Sequence, residues 1–280
     1  MILVTGATGN VGRHLVAGLL GADTPVRALT RDPGGARLPA GAEAARFDPG
    51  EPETMAAALA GVTAVFVNVT AVGGVMGDLV SAAARAGVGR AVMLSSLTVR
   101  DDGAQQYSMG AHHKALEDLV AAAPWESSFL RCGMFALNTL AWWGAMIRTD
   151  GIVRVPYPDA ATAPIAEQDI AAAAVRVLLD DGHAGARYVL TGPESLTQAE
   201  QVQAIGAAAG RRLRTEGLPA DVFRRSAGAY LPAGAVDDLL RYLAQYAGRT
   251  AQMSPDFEKV TGRRAMTFAE WARDHADSFR

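Results

Sequence analysis

The chain has 280 residues, 50% of them hydrophobic and 20% charged, with a formal net charge of −3; this balance fits a folded protein with a sizeable core and gives no electrostatic basis for a nucleic-acid surface. The arginines include scattered doublets (Arg211-Arg212, Arg224-Arg225, Arg263-Arg264) that form no stripe, and the single Cys132 cannot form an internal disulfide, while no apolar run reaches membrane-spanning length. The five histidines fall outside any metal-ligand spacing and an apolar strand begins at residue 2, so the expectation is a cytoplasmic, metal-free protein without a signal peptide.

Ile2 to Val4 reads as a buried strand, Gly6, Gly9 and Gly12 as a tight turn, and Val11, Leu15, Val16, Leu19 and Leu20 recur at helical spacing. Strand, glycine turn and helix in that order give a glycine pattern its meaning. The glycines permit the reversal and let a pyrophosphate approach the free N–H groups at the helix start. The spacing is G-x-x-G-x-x-G, one residue longer between the first two glycines than the usual dinucleotide fingerprint. Asn10 stands where an N-cap is expected.

Val26 to Thr30 predicts a second strand, followed by Arg31, Asp32 and Pro33. An acidic residue there would take the ribose hydroxyls of NAD. Arg31 instead offers a guanidinium that can pair with a ribose 2′-phosphate, favouring NADP(H); a solvated strand-end arginine is the alternative. Arg13 is a second candidate phosphate partner. A short strand, Ala44 to Phe47, leads to Asp48, whose carboxylate is placed either to meet an adenine amino group or to cap the next helix, Glu53 to Leu59. The apolar strand Ala64 to Val69 contains Asn68, a candidate cofactor contact. The loop Thr70 to Gly74 follows at its carboxyl end, where ligands of open α/β sheets bind.

After a helix from Val75 to Ala86, the strand Ala91 to Leu94 ends in Ser95 and Ser96, whose hydroxyls either face a nicotinamide or cap the next segment. Tyr107 leads into a helix carrying His112, His113, Lys114 and Glu117. Short-chain dehydrogenases carry Tyr-x-x-x-Lys here, the lysine holding the nicotinamide ribose and lowering the tyrosine pKa. The place four before Lys114 is Gly110, so that dyad is absent. Tyr107 is two turns away, roughly 10 Å at ~1.5 Å per residue. Lys114 with Glu117 also reads as a solvated i,i+3 pair. His113 is a candidate proton donor, with a plain surface imidazole as the competing reading.

Glu126 to Arg131 is a further strand, followed by Cys132, Phe135 and a bulky helix with Leu140, Trp142, Trp143 and Met146. Adjacent Trp142 and Trp143 cannot both face one core, so one of them is expected to line a cavity or a partner surface. Beyond Asp150 come turns and short strands with Tyr157 between Pro156 and Pro158, a helix Ala171 to Leu179, a strand Arg187 to Leu190, and a helix capped by Thr197. The segments Ala220 to Ala227, Val236 to Tyr246, Ser254 to Val260 and Thr267 to Phe279 are helical by pattern. Irregular stretches near Gly151 to Thr162 and Ala227 to Gly234 are candidate lids.

Taken together, Thr5 to Gly12, Thr30 to Pro33, Ser95-Ser96, His113-Lys114 with Glu117, Phe129 to Phe135 with Asn138, Glu167 to Ala171, Leu190 to Glu194 and Phe268 to Ala272 resemble the NmrA-like, atypical short-chain dehydrogenase/reductases over nearly the whole chain. Cys132 stands where relatives often have proline. The resemblance implies an α/β fold: a Rossmann doubly wound parallel sheet over residues 1–150 with a small, mainly helical cap over 151–280, of which about 165–192 returns to the sheet. It implies an NADP-type site using Gly6, Thr8, Gly9, Asn10, Val11, Gly12 and Arg31, with Lys114 near the nicotinamide ribose.

Such a chain is expected to be an NADPH-dependent reductase of a flat, hydrophobic carbonyl, quinone or enone held by Phe135, Trp142, Trp143, Tyr157 and the cap. Lys114 would place the ribose, and His113, Tyr107 or water would supply the proton. The partners expected are a small hydrophobic or aromatic substrate and, as a candidate assembly, a homodimer, with no membrane and no direct nucleic-acid contact. Two alternatives stand beside it: a non-catalytic NADP(H) sensor, and a tailoring enzyme performing elimination or coupling with little net redox change.

Overall fold

Short strands make the sheet, apolar throughout in Ile2–Val4 and apolar up to the terminal Asn68 in Ala64–Asn68. The computed structural model describes residues 1–48, 50–51, 53–227 and 233–280. In chain order it holds β1 (Ile2–Val4), α1 (Gly12–Gly21), β2 (Val26–Thr30), β3 (Glu43–Arg46), α2 (Glu53–Ala58), β4 (Ala64–Asn68), α3 (Val69–Val72), α4 (Met76–Arg85), β5 (Arg90–Ser96), α5 (Ser108–Ala121), β6 (Glu126–Cys132) and α6 (Asn138–Thr149). Then come β7 (Ile152–Val155), β8 (Ala161–Thr162), α7 (Glu167–Leu179), β9 (Arg187–Leu190), β10 (Leu196–Thr197), α8 (Gln198–Ala209), β11 (Arg214–Gly217), α9 (Ala220–Ala227), α10 (Ala233–Tyr246), α11 (Asp256–Thr261) and α12 (Phe268–Asp274).

Seven strands pair in the order β3-β2-β1-β4-β5-β6-β9, every pairing parallel. β1 lies between β2 and β4, so chain order reverses there and the crevice outside the carboxyl ends of β1 and β4 is the topological switch point. One face is covered by α1, α7 and Phe257 of α11, packed on Val4, Phe66, Val92 and Leu130. The other is covered by α2, α4 and α5, with Leu79, Val120 and Phe129 in its core. This is a doubly wound Rossmann-type α/β fold. β9 pairs with β6 from Phe129↔Arg187 to Cys132↔Leu190, bringing a late segment back to the sheet. A separate core joins Trp143 and Ile147 of α6 with Val202 and Ile205 of α8 and Phe268 and Trp271 of α12. Capping boxes Thr197/Glu200 and Thr267/Glu270 start α8 and α12, each cap contributing ~1 kcal/mol.

Several local expectations shift. The residue before α1 is Val11 and no side chain caps that helix, so Asn10 is not its N-cap; its exposed position leaves the loop amides open. β3 runs from Glu43 rather than Ala44. The expected loop from Thr70 is helical, because Asn68 Oδ1 accepts from the amides of Thr70 and Ala71 at 3.1 and 3.4 Å and turns the chain into α3. Ser95 and Ser96 lie inside β5, extended by pairing with Arg131 and Cys132. Of the candidate lid from Ala227 to Gly234, residues 228–232 lie outside the described residues. Among the described residues, no helix is long and apolar enough to cross a membrane.

Candidate active site

The first carboxyl-end loop is fixed by sterics. Gly6 has φ +65°, and a Cβ built on Gly12 would lie 2.0 Å from the Gly6 carbonyl oxygen, so α1 can start this close to β1 only without a side chain. The Gly9 amide donates to that same carbonyl at 2.9 Å. Buried Thr5 ties β1 to β4: its hydroxyl donates to the Phe66 carbonyl and accepts from the Asn68 amide at 2.7 Å. Among the described residues, the amides of Thr8, Asn10 and Val11 make no hydrogen bond within the protein. Free N–H groups at a helix start, with glycine where a side chain would obstruct, fit a pyrophosphate.

Arg31 is exposed at the end of β2 and makes no hydrogen bond or ion pair among the described residues. Neighbouring Asp32, also exposed, is taken up by the local turn, accepting from the Gly35 amide at 3.0 Å. The Arg31 guanidinium follows the carboxyl end of β2, free to pair with an anion. Arg13 is also exposed, with its Nε directed to His14. Half-buried Asp48 accepts from the Gly50 amide at 2.9 Å; it caps a tight turn and not α2.

From the switch point a cleft of about 580 Å³ runs across the carboxyl ends of β4, β5 and β6. Its floor includes Asn10, Val11, Asn68, Ser95 and Ser96, and its walls include Tyr107, His113, Met134, Phe135, Asn138 and Trp142. Leu239 and Tyr242 of α10 roof it. Trp142 is 38% exposed on the cleft wall while Trp143 is 3% exposed in the core under α6. Trp143 is therefore corrected from substrate contact to packing residue. Tyr157 is likewise corrected: it packs behind the cleft against the Tyr107 and Tyr242 cluster.

The serines at the end of β5 divide between its two faces. Ser95 Oγ donates to Glu117 Oε1 at 2.6 Å, so its hydroxyl is committed. Ser96 Oγ accepts from the Thr98 amide at 3.2 Å and shares a hydrogen bond with the Thr98 hydroxyl at 2.8 Å, capping the segment after the strand. Glu117 is 1% exposed and pairs with Arg131, whose other side holds Asp101. The expected Lys114–Glu117 surface pair is thus replaced by a buried pair across α5 and β6, and half-buried Lys114 bonds Asp118 one turn on. Lys114 lies beside the cleft on α5 and not on its lining.

Neither Tyr107 nor His113 is activated as a proton donor. A Cβ on Gly110 would lie 2.4 Å from the Thr98 carbonyl oxygen, so the place four before Lys114 cannot hold a tyrosine without moving that backbone. Tyr107 is 8% exposed and donates to Gln245 Oε1 at 2.7 Å; burial pushes its phenol pKa up. His113 donates from Nδ1 to the Met109 carbonyl at 2.9 Å, and burial pushes its pKa below 6.5. Both side chains face the cleft as weak, neutral hydrogen-bonding groups. Buried Cys132 has its thiol pKa raised by burial, which makes it inert.

Sequence reasoning missed Arg131, Asp101, Asp238 and Gln245. Asp238 Oδ2 accepts from Ser108 Oγ at 2.5 Å and from the Met109 amide at 3.2 Å, so a carboxylate on α10 caps α5. Only the apolar spacing of Val236, Leu239, Leu240 and Leu243 hinted that α10 would present one face inward.

A family model described as the NmrA-like family matches residues 1–273. A (4-alkanoyl-5-oxo-2,5-dihydrofuran-3-yl)methyl phosphate reductase of Streptomyces griseus is 37% identical, covering 100% of this chain and 99% of the relative. An NAD(P)H azoreductase of Xenophilus azovorans is 35% identical, covering 100% and 99%. Among solved structures, an NADPH-dependent quinone oxidoreductase of Escherichia coli complexed with NADPH superposes with a TM-score of 0.82 at 25% identity, covering 98% of this chain and 99% of that one.

Proposed function

This chain belongs to the NmrA-like family, and from that premise we propose that it is an NADPH-dependent reductase of a flat, hydrophobic acceptor: a quinone, an enone or another conjugated carbonyl. Its relatives at 37% and 35% identity are named reductases, which supports an oxidoreductase over a non-catalytic sensor. The cofactor would rest on the amides of Thr8, Asn10 and Val11 beside Gly6, Gly9 and Gly12, with its 2′-phosphate at Arg31 and Asn68 beside the loop. Lys114 is on the helix that flanks the ribose end. When bound, the nicotinamide supplies a hydride.

The chain's own part is to orient the acceptor and keep water from its face. Phe135, Trp142, Leu239 and Tyr242 make an apolar, aromatic slot over the ends of β5 and β6, suited to a planar ring. Asn138 keeps an amide hydrogen for a carbonyl oxygen, while the Tyr107 hydroxyl and the His113 Nδ1–H are already given to Gln245 and to the Met109 carbonyl. The observation that carries this reading is Gly110: the Thr98 carbonyl closes the place of an activated tyrosine. Acceptors whose reduced oxygens take protons from solvent need no such phenol.

The test is NADPH consumption by purified protein against a panel of quinones, enones and azo compounds, with product mass recorded. Turnover to reduced products supports the reading. Tight NADPH binding with no acceptor consumed contradicts it.

A further inference from the structure

We infer that the acceptor of this cleft is uncharged, and that an anionic substituent such as a phosphate ester is selected against. The inference deepens the reductase reading and rests on it. Among the described residues lining the cleft there is no lysine and no arginine, and the residues outside that set (Pro49, Pro52 and the stretch Gly228 to Pro232) carry no charged side chain. The acidic side chain among the described residues of the wall is Asp238, 7% exposed, which already accepts from Ser108 Oγ and the Met109 amide.

Neighbouring cations are committed elsewhere. Arg241 Nη1 donates to the Gln106 carbonyl at 2.5 Å and to Asp238 at 3.3 Å, its guanidinium lying 5.8 Å from the centre of the Tyr107 ring. Lys114 pairs with Asp118, and Arg131 with Glu117 and Asp101. The imidazole of His113 faces the cleft neutral, its Nδ1–H on the Met109 carbonyl. A phosphate drawn into this slot would lose water without gaining a charge-assisted partner, and would approach a carboxylate. The Streptomyces griseus relative is named for a phosphate-bearing butenolide; the described residues of this wall offer that group no lysine or arginine.

The experiment compares one acyl butenolide as its hydroxymethyl alcohol and as the phosphate monoester, identical at the reacting double bond. Reduction adds a hydride from NADPH to one carbon and a solvent proton to the other, leaving NADP⁺. Two readouts are taken on the full chain: kcat/KM, and quenching of tryptophan fluorescence by each compound with NADP⁺ bound, which needs no turnover. The alcohol is expected to bind about 10- to 100-fold more tightly, the range that one missing charge-assisted contact represents. Asp238→Asn, which keeps an oxygen for Ser108 and Met109, is expected to narrow that ratio several-fold by favouring the phosphate, whereas a purely structural role would weaken both compounds alike.

A phosphate ester bound as tightly as the alcohol, at any level including none for both, overturns the inference. Binding that favours the alcohol sustains it even where neither butenolide is reduced. Failure of every acceptor in the wider panel would sink the reductase reading separately.

Discussion

Arg131 and Glu117 form a two-pronged pair inside the protein: the guanidinium donates from Nε and Nη2 to the two carboxylate oxygens at 2.9 and 2.7 Å. Both residues are buried, and Ser95 donates to the same carboxylate, so β5, α5 and β6 are locked together under the cleft. Removing Glu117 leaves the buried Arg131 guanidinium with exposed Asp101 alone and the Ser95 hydroxyl without its acceptor, so Glu117→Ala is expected to lower unfolding free energy by ~2–4 kcal/mol. Asp101→Ala, at the exposed end of the network, is expected to cost under about 1 kcal/mol. Urea titration of the two variants checks the contrast; equal losses would contradict it.

Gly110→Ala should destabilise by ~1–3 kcal/mol, because its methyl meets the Thr98 carbonyl at 2.4 Å and the backbone between β5 and α5 must shift. Thermal unfolding measures this. An unchanged midpoint would show that the place is open and that the missing tyrosine has another cause.

Arg31→Ala should weaken NADPH about 10- to 100-fold and leave NADH nearly unchanged, since a guanidinium to 2′-phosphate contact is a charge-assisted pair that NADH cannot make. Calorimetric titration of both coenzymes decides it. Equal weakening of the two would reject the assignment.

The adjacent tryptophans should separate binding from stability. Trp143→Ala empties a core site and is expected to cost ~3–5 kcal/mol. Trp142→Ala, on the cleft wall, should raise KM for an aromatic acceptor roughly 3- to 10-fold while changing stability little. A Trp142 variant that unfolds as readily as the Trp143 variant would contradict the division.

Burial lowers the His113 pKa below 6.5, so the unfolded chain takes a proton more readily than the folded one. The stability that neutral His113 contributes is present above about pH 6.5 and is lost as pH falls below it toward the folded value. His14 is shifted in the same direction, again chiefly by burial. His113→Gln, which keeps a donor for the Met109 carbonyl, should flatten part of the acid-side slope in unfolding free energy. An unaltered slope would contradict this.

Much of the frame was legible because central parallel strands buried on both faces are near-continuous apolar runs: Ile2 to Val4 and Ala64 to Val67 needed no tertiary information. The glycine turn was legible because its spacing is a local steric requirement. What failed was decided across the chain. Glu117 looked like a helical neighbour of Lys114 until β6 supplied Arg131 from 14 residues away. Ser95 and Ser96 joined β5 because β6 extends to pair with them. The roof was hidden since Asp238 reaches Ser108 across 130 positions. The pair Trp142-Trp143 could be divided in principle, since neighbours on a helix diverge, but which of them faces the core depends on α8 and α12.

The most direct test of the central claim follows the hydride itself. With NADPH deuterated at C4 and an enone acceptor, the account predicts reduced product carrying one deuterium on carbon when the label occupies the transferred position. Reduced product free of label from both C4-deuterated forms of NADPH would contradict it.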